Sequence, residues 1–90
     1  MEFEWDEDKA ATNFEKHEVD FEDATQVFFD QRRIVREDRR RDYGEVRYQA
    51  IGSVFGELLF VVYTVRGRVY RLISARPANA AERRDYHGNR

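Results

Sequence analysis

The chain has 90 residues, no cysteine and a formal net charge of −2. That length is expected to form one domain spanning residues 1–90 around a single core, and the lack of cysteine excludes disulfides and thiolate metal sites. The acidic N-terminus lacks a signal-peptide pattern, and the longest apolar run, Leu58 to Val65, is too short to span a bilayer as a helix, so the expected location is cytoplasmic.

Glu2 to Trp5 alternates acidic and aromatic residues, the pattern of a short strand with Phe3 and Trp5 on one face. Asp6 can cap a helix from Glu7 to about Lys16, with Ala10, Ala11 and Phe14 at helical spacing and Lys16 and His17 in the last turn, where cations suit the dipole. Asp20 can cap a second helix whose inner face is Phe21, Ala24 and Phe28, with Val27 beside them and Asp30 just past its end. Ile34 and Val35 form a short strand, and Glu37 to Asp42 reads as an exposed charged turn. A strand follows in which Glu45, Arg47, Gln49 and Ile51 alternate with Val46, Tyr48 and Ala50. Gly52 to Gly56 is expected to turn the chain into a long hairpin made of Leu58–Val65 and Arg68–Ala78. After Pro77, Asn79 can cap a short helix through Glu82, Arg83 and Tyr86, and the tail from His87 is expected to fray. The expected fold class is α+β: two N-terminal helices packed on an antiparallel meander of about four strands, with a short C-terminal helix.

Charge divides sharply along the chain. Residues 1–30 hold eleven Asp/Glu against two Lys, whereas residues 31–90 hold fourteen Arg, no Lys and seven Asp/Glu. Two readings fit: acidic helices can neutralise a basic sheet, or the molecule can present a basic face to RNA or DNA. Arginine offers a planar donor fork suited to carboxylate or phosphate, so either partner serves.

No nucleophile–base pair, phosphate-cradling glycine loop or metal spacing is present, and the two histidines lie 70 residues apart. The groups left to do chemistry are His17, the lysines, the arginines and the tyrosines. Histidine is the residue type that both gives and takes protons near neutrality, yet at a helix end it also serves as a C-cap. If Arg66-Gly67 is a two-residue turn, Tyr63 faces Tyr70, Leu59 faces Ser74 and Glu57 faces Arg76. Thr64, Val62, Phe60 and Leu58 then form the helix-covered core with Val69, Arg71, Ile73 and Ala75, leaving Arg71 as its one charged member. Arg76 gains Glu57 as a cross-strand partner. Arg68 and Arg76 lie about 27 Å apart along the strand, so Arg66 and Arg76 cannot share one scissile phosphate. A longer loop slides Arg71 towards Arg66.

Three segments resemble the BrnT toxin family. They are Trp5-Asp6-Glu7-x-Lys9-x3-Asn13-x2-Lys16-His17-x-Val19-x-Phe21-x2-Ala24-x2-Val27-Phe28, then Asp42-Tyr43-Gly44-Glu45-x-Arg47-Tyr48-x2-Ile51-Gly52. The third is Tyr63-Thr64-x-Arg66-Gly67 with Arg71-x-Ile73-Ser74-Ala75-Arg76-x-Ala78-x3-Glu82-Arg83-x2-Tyr86. Glu18 stands where that family usually has glycine, and Pro77 where a basic residue is frequent. The resemblance implies a RelE-like fold and a ribosome-independent endoribonuclease toxin of a bacterial type II toxin–antitoxin pair. It implies a BrnA-like ribbon-helix-helix antitoxin that masks the toxin, operator DNA reached only through that antitoxin, and no membrane association. It places Lys16, His17, Arg66, Arg71 and Arg76 at the active site, with Glu45, Arg47 and Tyr86 as weaker additions.

The expected chemistry is cleavage of single-stranded RNA by the ribose 2′-hydroxyl, with no metal or other cofactor. Arginines stabilise the pentacovalent phosphate, Lys16 or His17 moves protons, Arg47 and Arg68 bind the strand, and Tyr86 stacks on a base. The competing expectation is a non-catalytic nucleic-acid or protein-binding module, or an inactive toxin, that serves operon autoregulation.

Overall fold

Asp6 opens the first helix by accepting the Lys9 N–H at 3.1 Å, which satisfies one of the donors every helix start leaves unpaired. In the computed structural model, which describes residues 1–88, that helix is α1 (Glu7–His17) and follows a short strand, β1 (Glu2–Glu4). Asp20 starts a second helix, α2 (Phe21–Ala24), which tightens at once into a 3₁₀ turn over Thr25–Phe29. The strands are β2 (Ile34–Asp38), β3 (Arg47–Val54), β4 (Glu57–Arg66) and β5 (Val69–Pro77), and α3 (Ala80–Gly88) closes the chain.

The sheet order is β1-β5-β4-β3-β2. The last four strands form the expected antiparallel meander; β1 adds a fifth strand, parallel to β5, so the sheet is mixed. Phe21, Val27 and Phe28 pack with Ala50, Leu59, Val61, Tyr63 and Leu72 on one sheet face, and Phe3 and Trp5 join them. Ile51, Phe60 and Val62 form a smaller cluster on the other face, beneath Tyr86 of α3. The helix-covered core is therefore the set Leu59, Val61, Tyr63 and Leu72, the reverse of the face expected from the hairpin count.

The covered face is the one on which Phe21, Val27 and Phe28 pack; the cross-strand partners also differ from the count, and that has a local cause. Gly67 takes φ 62° as the first central residue of the β4–β5 turn, a position that favours glycine, so the turn is Gly67-Arg68 and Arg66 pairs with Val69. Tyr63 thus faces Leu72, not Tyr70, and a register shift after Val62 sets Val62 against Ser74 and Phe60 against Arg76. Arg76 does not meet Glu57.

Other boundaries moved for similar reasons. The β3–β4 turn is only Phe55-Gly56, both at positive φ, so Gly52 lies within β3. A Cβ on Gly52 would stand 2.9 Å from Val27 Cγ1, and this close approach lets the 3₁₀ turn lie on the strand. β3 starts at Arg47 rather than Glu45, and β2 runs on to Asp38. Asp38 is buried rather than part of an exposed turn, and accepts from Arg40 Nε (2.8 Å), Arg40 Nη2 (2.7 Å) and Tyr43 OH (3.1 Å). These donors, Arg40 foremost, hold its carboxyl far below the usual range, and Asp38 in turn raises the Arg40 guanidinium.

On α1, Phe14 and Ala11 face solvent, and the buried residue is Asn13. Its amide bonds the backbone of Ala75 both ways (2.8 and 3.0 Å) and reaches the Val19 carbonyl at 3.1 Å. Asn13 thereby acts as a strand's backbone would, sealing the edge of β5 beyond the end of β1. α3 continues through His87 to Gly88 instead of fraying; the tail beyond it lies outside the described residues.

Candidate active site on the arginine face

Alternation along a strand sends residues an odd number apart to opposite faces. Arg71 and Arg76 are five apart, yet both stand on the α3 side of the sheet, because the irregularity in β5 adds one residue between them. Arg71 lies opposite Thr64 and Arg76 opposite Phe60, and Arg66 follows Phe60, Val62 and Thr64 on the same side of β4. Arg36, Arg47 and Gln49 continue this surface across β2 and β3.

Register sets the spacing. Thr64, and with it Arg71, lies two residues from Arg66, about 7 Å along the strand, whereas Phe60 and Arg76 lie six away, about 20 Å. Arg71 has therefore moved towards Arg66, as a shifted turn requires.

Nearly every guanidinium on this face already holds a carboxylate. Arg71 meets Glu4 at 2.8 Å, Arg66 meets Glu45 at 3.6 Å, and Arg47 meets the same Glu45 at 3.0 Å. Arg47 holds the exposed Glu45 carboxyl below its ordinary value. Arg36 bonds Asp85 at 3.1 Å and Gln49 at 2.9 Å. Arg76 is the most fixed: both ends of its fork reach Glu82 at 2.9 Å, and its guanidinium carbon lies 4.2 Å from the centre of the Phe60 ring. Glu82 also accepts the Asn79 N–H while Asn79 accepts the Glu82 N–H, a complete capping box for α3. Burial raises the Glu82 carboxyl, but Arg76 and the Asn79 N–H outweigh it and the net direction is downward.

Lys16 and His17 end α1, in the helix layer on the other side of the sheet. With Lys9, Thr12 and Asn13 they line a cleft of about 310 Å³ against Ile73 and Ser74 of β5. Those two β5 residues lie between Arg71 and Arg76 in the strand, and Ile73 also packs against the cluster on the arginine face. The cleft thus opens at the sheet edge between the two arginines, while Arg66 stands one strand further in.

The remaining sequence candidates lie elsewhere. Arg68 is exposed at the hairpin tip, with no partner among the described residues. Tyr86 donates its hydroxyl to Asp30 at 2.6 Å, which ties α3 to the loop before β2; burial first, and then this bond, raise the phenol. Burial raises the Asp30 carboxyl too, but bonds from Tyr86, the Ser53 N–H and the Arg32 N–H bring it below its ordinary value. Burial pushes the Tyr63 phenol up to about 12, and the ring lies in the helix-covered core rather than on the arginine face.

Sequence reasoning missed Glu82 as the partner of Arg76, although Asn79-x-x-Glu82 is a capping-box signature from which its position follows. No local signal marked Asp38 as buried or Asn13 as an edge-sealing amide. Among the described residues no group of three or more His, Asp or Glu is arranged to hold a metal ion. No helix among them is long and apolar enough to cross a membrane.

A family model described as "Ribonuclease toxin, BrnT, of type II toxin-antitoxin system" matches residues 5–82. No curated protein sequence matches the chain at a significant level.

Proposed function

The chain belongs to the BrnT family of ribonuclease toxins from type II toxin–antitoxin systems, and on that premise we propose that its arginine face and the cleft at the edge of β5 form a metal-independent endoribonuclease site. The observation that carries this reading is the shared face of Arg71 and Arg76, with the floor of the Lys16–His17 cleft between them on the strand. Adjacent phosphates of a single strand can then meet guanidiniums while a ribose enters the cleft.

In this reading the 2′-hydroxyl loses its proton to His17 or Lys16 and its oxygen bonds to phosphorus. The bond from phosphorus to the 5′-oxygen breaks, and that oxygen takes up a proton from an acid. One of Arg71 and Arg76 stabilises the charge that builds on the phosphoryl oxygens while the other holds a neighbouring phosphate, and stabilisation of that kind dominates the lowering of such a barrier. Arg66, Arg47 and Arg68 guide the strand by charge. Tyr86 is spoken for by Asp30, so stacking on a base requires it to leave that bond. The family implies an antitoxin partner, which we take to neutralise the toxin by direct binding.

Phosphate entering the face exchanges with Glu4, Glu45 and Glu82. That pairing also favours a second reading, in which the face is neutralised internally and the protein binds without cleaving. Incubating the pure protein with RNA in EDTA separates the two: fragments ending in 2′,3′-cyclic phosphate support the nuclease, and salt-sensitive binding without fragments supports the module.

A further inference from the structure

Three phenylalanines on the helix side are largely exposed: Phe29, 60% exposed at the end of the 3₁₀ turn with its ring against Phe3, and two that share an acidic track away from the arginine face, Phe14 on α1, 53% exposed, and Phe55 at the β3–β4 turn, 83% exposed. Neither Phe14 nor Phe55 contributes to the core. Phe14 lines a shallow hollow of about 370 Å³ with Ala10 and Ala11 as its apolar floor. Phe55 lines a second, of about 90 Å³, with Val19, Val54 and Leu59. The hollows meet at Asp20, which lines both. Their rims carry Glu7, Glu15, Glu18, Asp20, Asp23 and Glu57, and among the described residues no Lys, Arg or His lines either one.

Phe55 is also costly to the fold. It holds φ 50° in a two-residue turn that suits Asn-Gly, where a bulky side chain is disfavoured. Such strain persists where something other than folding maintains it.

The geometry points to this track as the docking surface for a basic segment of the antitoxin, one that places two apolar side chains in the hollows and Lys or Arg groups against the acidic rim. Charge decides the occupant: six carboxylates without a cation repel RNA and attract a cationic polypeptide. The exposed rings supply the apolar anchors that dominate such interfaces. The antitoxin then holds the toxin by a surface distinct from the arginine face. This inference rests on the family's antitoxin partner and not on the cleavage chemistry.

The test is calorimetric titration of the separately purified cognate antitoxin into wild type, Phe14→Ser/Phe55→Asn and Glu15→Lys. The double variant is expected to bind at least about 30-fold more weakly, the loss of two anchors of hot-spot size. Glu15→Lys is expected to weaken binding severalfold and to flatten its salt dependence. Phe55→Asn creates the favoured Asn-Gly turn, so a denaturation midpoint at or above wild type shows that lost binding is not lost folding. Affinity of the double variant within threefold of wild type overturns the proposal. So does retained affinity in these variants with loss in Arg71→Ala/Arg76→Ala. RNA cleavage by the free double variant is expected to match wild type; failure of wild type to cleave overturns the nuclease reading and leaves the binding result intact.

Discussion

Arg76 and Glu82 are joined by two hydrogen bonds of 2.9 Å, and the same carboxylate accepts the N–H of Asn79 at the start of α3. One residue therefore fixes an arginine of the proposed site and caps the helix that overlies the arginine face. Glu82→Gln is expected to lower stability at pH 7 by about 1–2 kcal/mol, the range for a charge-assisted bond. The folded carboxyl lies below its unfolded value, so its contribution is full above the unfolded glutamate's value of about 4.3 and fades as pH falls through the folded one. Urea denaturation is expected to show a wide gap between variant and wild type at pH 7 that narrows near pH 3. A gap of equal size at both pH values contradicts the pairing.

Glu18 ends α1 at φ 57°, with its N–H donated to the Phe14 carbonyl at 2.8 Å. Left-handed backbone there favours glycine. Glu18→Gly keeps the bond and relieves the strain, and is expected to raise stability by about 0.5–1 kcal/mol after glycine's own entropic penalty. A denaturation midpoint below wild type contradicts this.

Asn13 makes three hydrogen bonds that no aliphatic side chain replaces. Asn13→Ala leaves the N–H and carbonyl of Ala75 buried without their partner, and a loss of about 2–3 kcal/mol is expected. Hydrogen exchange at the Ala75 amide is the sharper readout, and its protection is expected to fall more than that of Val61 in the sheet centre.

His17→Ala removes the imidazole from the cleft but touches neither arginine. If His17 moves a proton, kcat for RNA cleavage falls by about 10²–10⁴ while KM changes little. An unchanged kcat assigns the proton transfer to Lys16 instead.

Elements were legible where one local cause decides them. Asp6, Asp20 and Asn79 were readable as caps because capping is a matter of spacing alone, and each forms the bond expected of it. Phe21, Ala24, Val27 and Phe28 were readable as an inner face although half of that helix is 3₁₀. The hairpin was not readable beyond its existence. Whether Gly67 is the first or second turn residue moves every cross-strand pair by two places but leaves the same residues sharing a face, and the count carried no sign of which face the helices cover; nothing local marks the added residue near Ile73 that puts Arg71 and Arg76 on one face. Ala10, Ala11 and Phe14 were readable as a helical stripe, but spacing cannot tell a buried stripe from an unpartnered one, and Phe14 stands in solvent. Asn13 was overlooked because a polar residue enters a core only through partners distant in sequence, here 62 positions away.

The most direct measurement is cleavage of a labelled single-stranded RNA in EDTA by wild type and by Arg71→Ala/Arg76→Ala, with both shown to be folded. Each arginine is expected to contribute on the order of 10²-fold, so the double variant falls to background, while wild type yields fragments ending in 2′,3′-cyclic phosphate. Equal cleavage by the two proteins contradicts an active site on the arginine face.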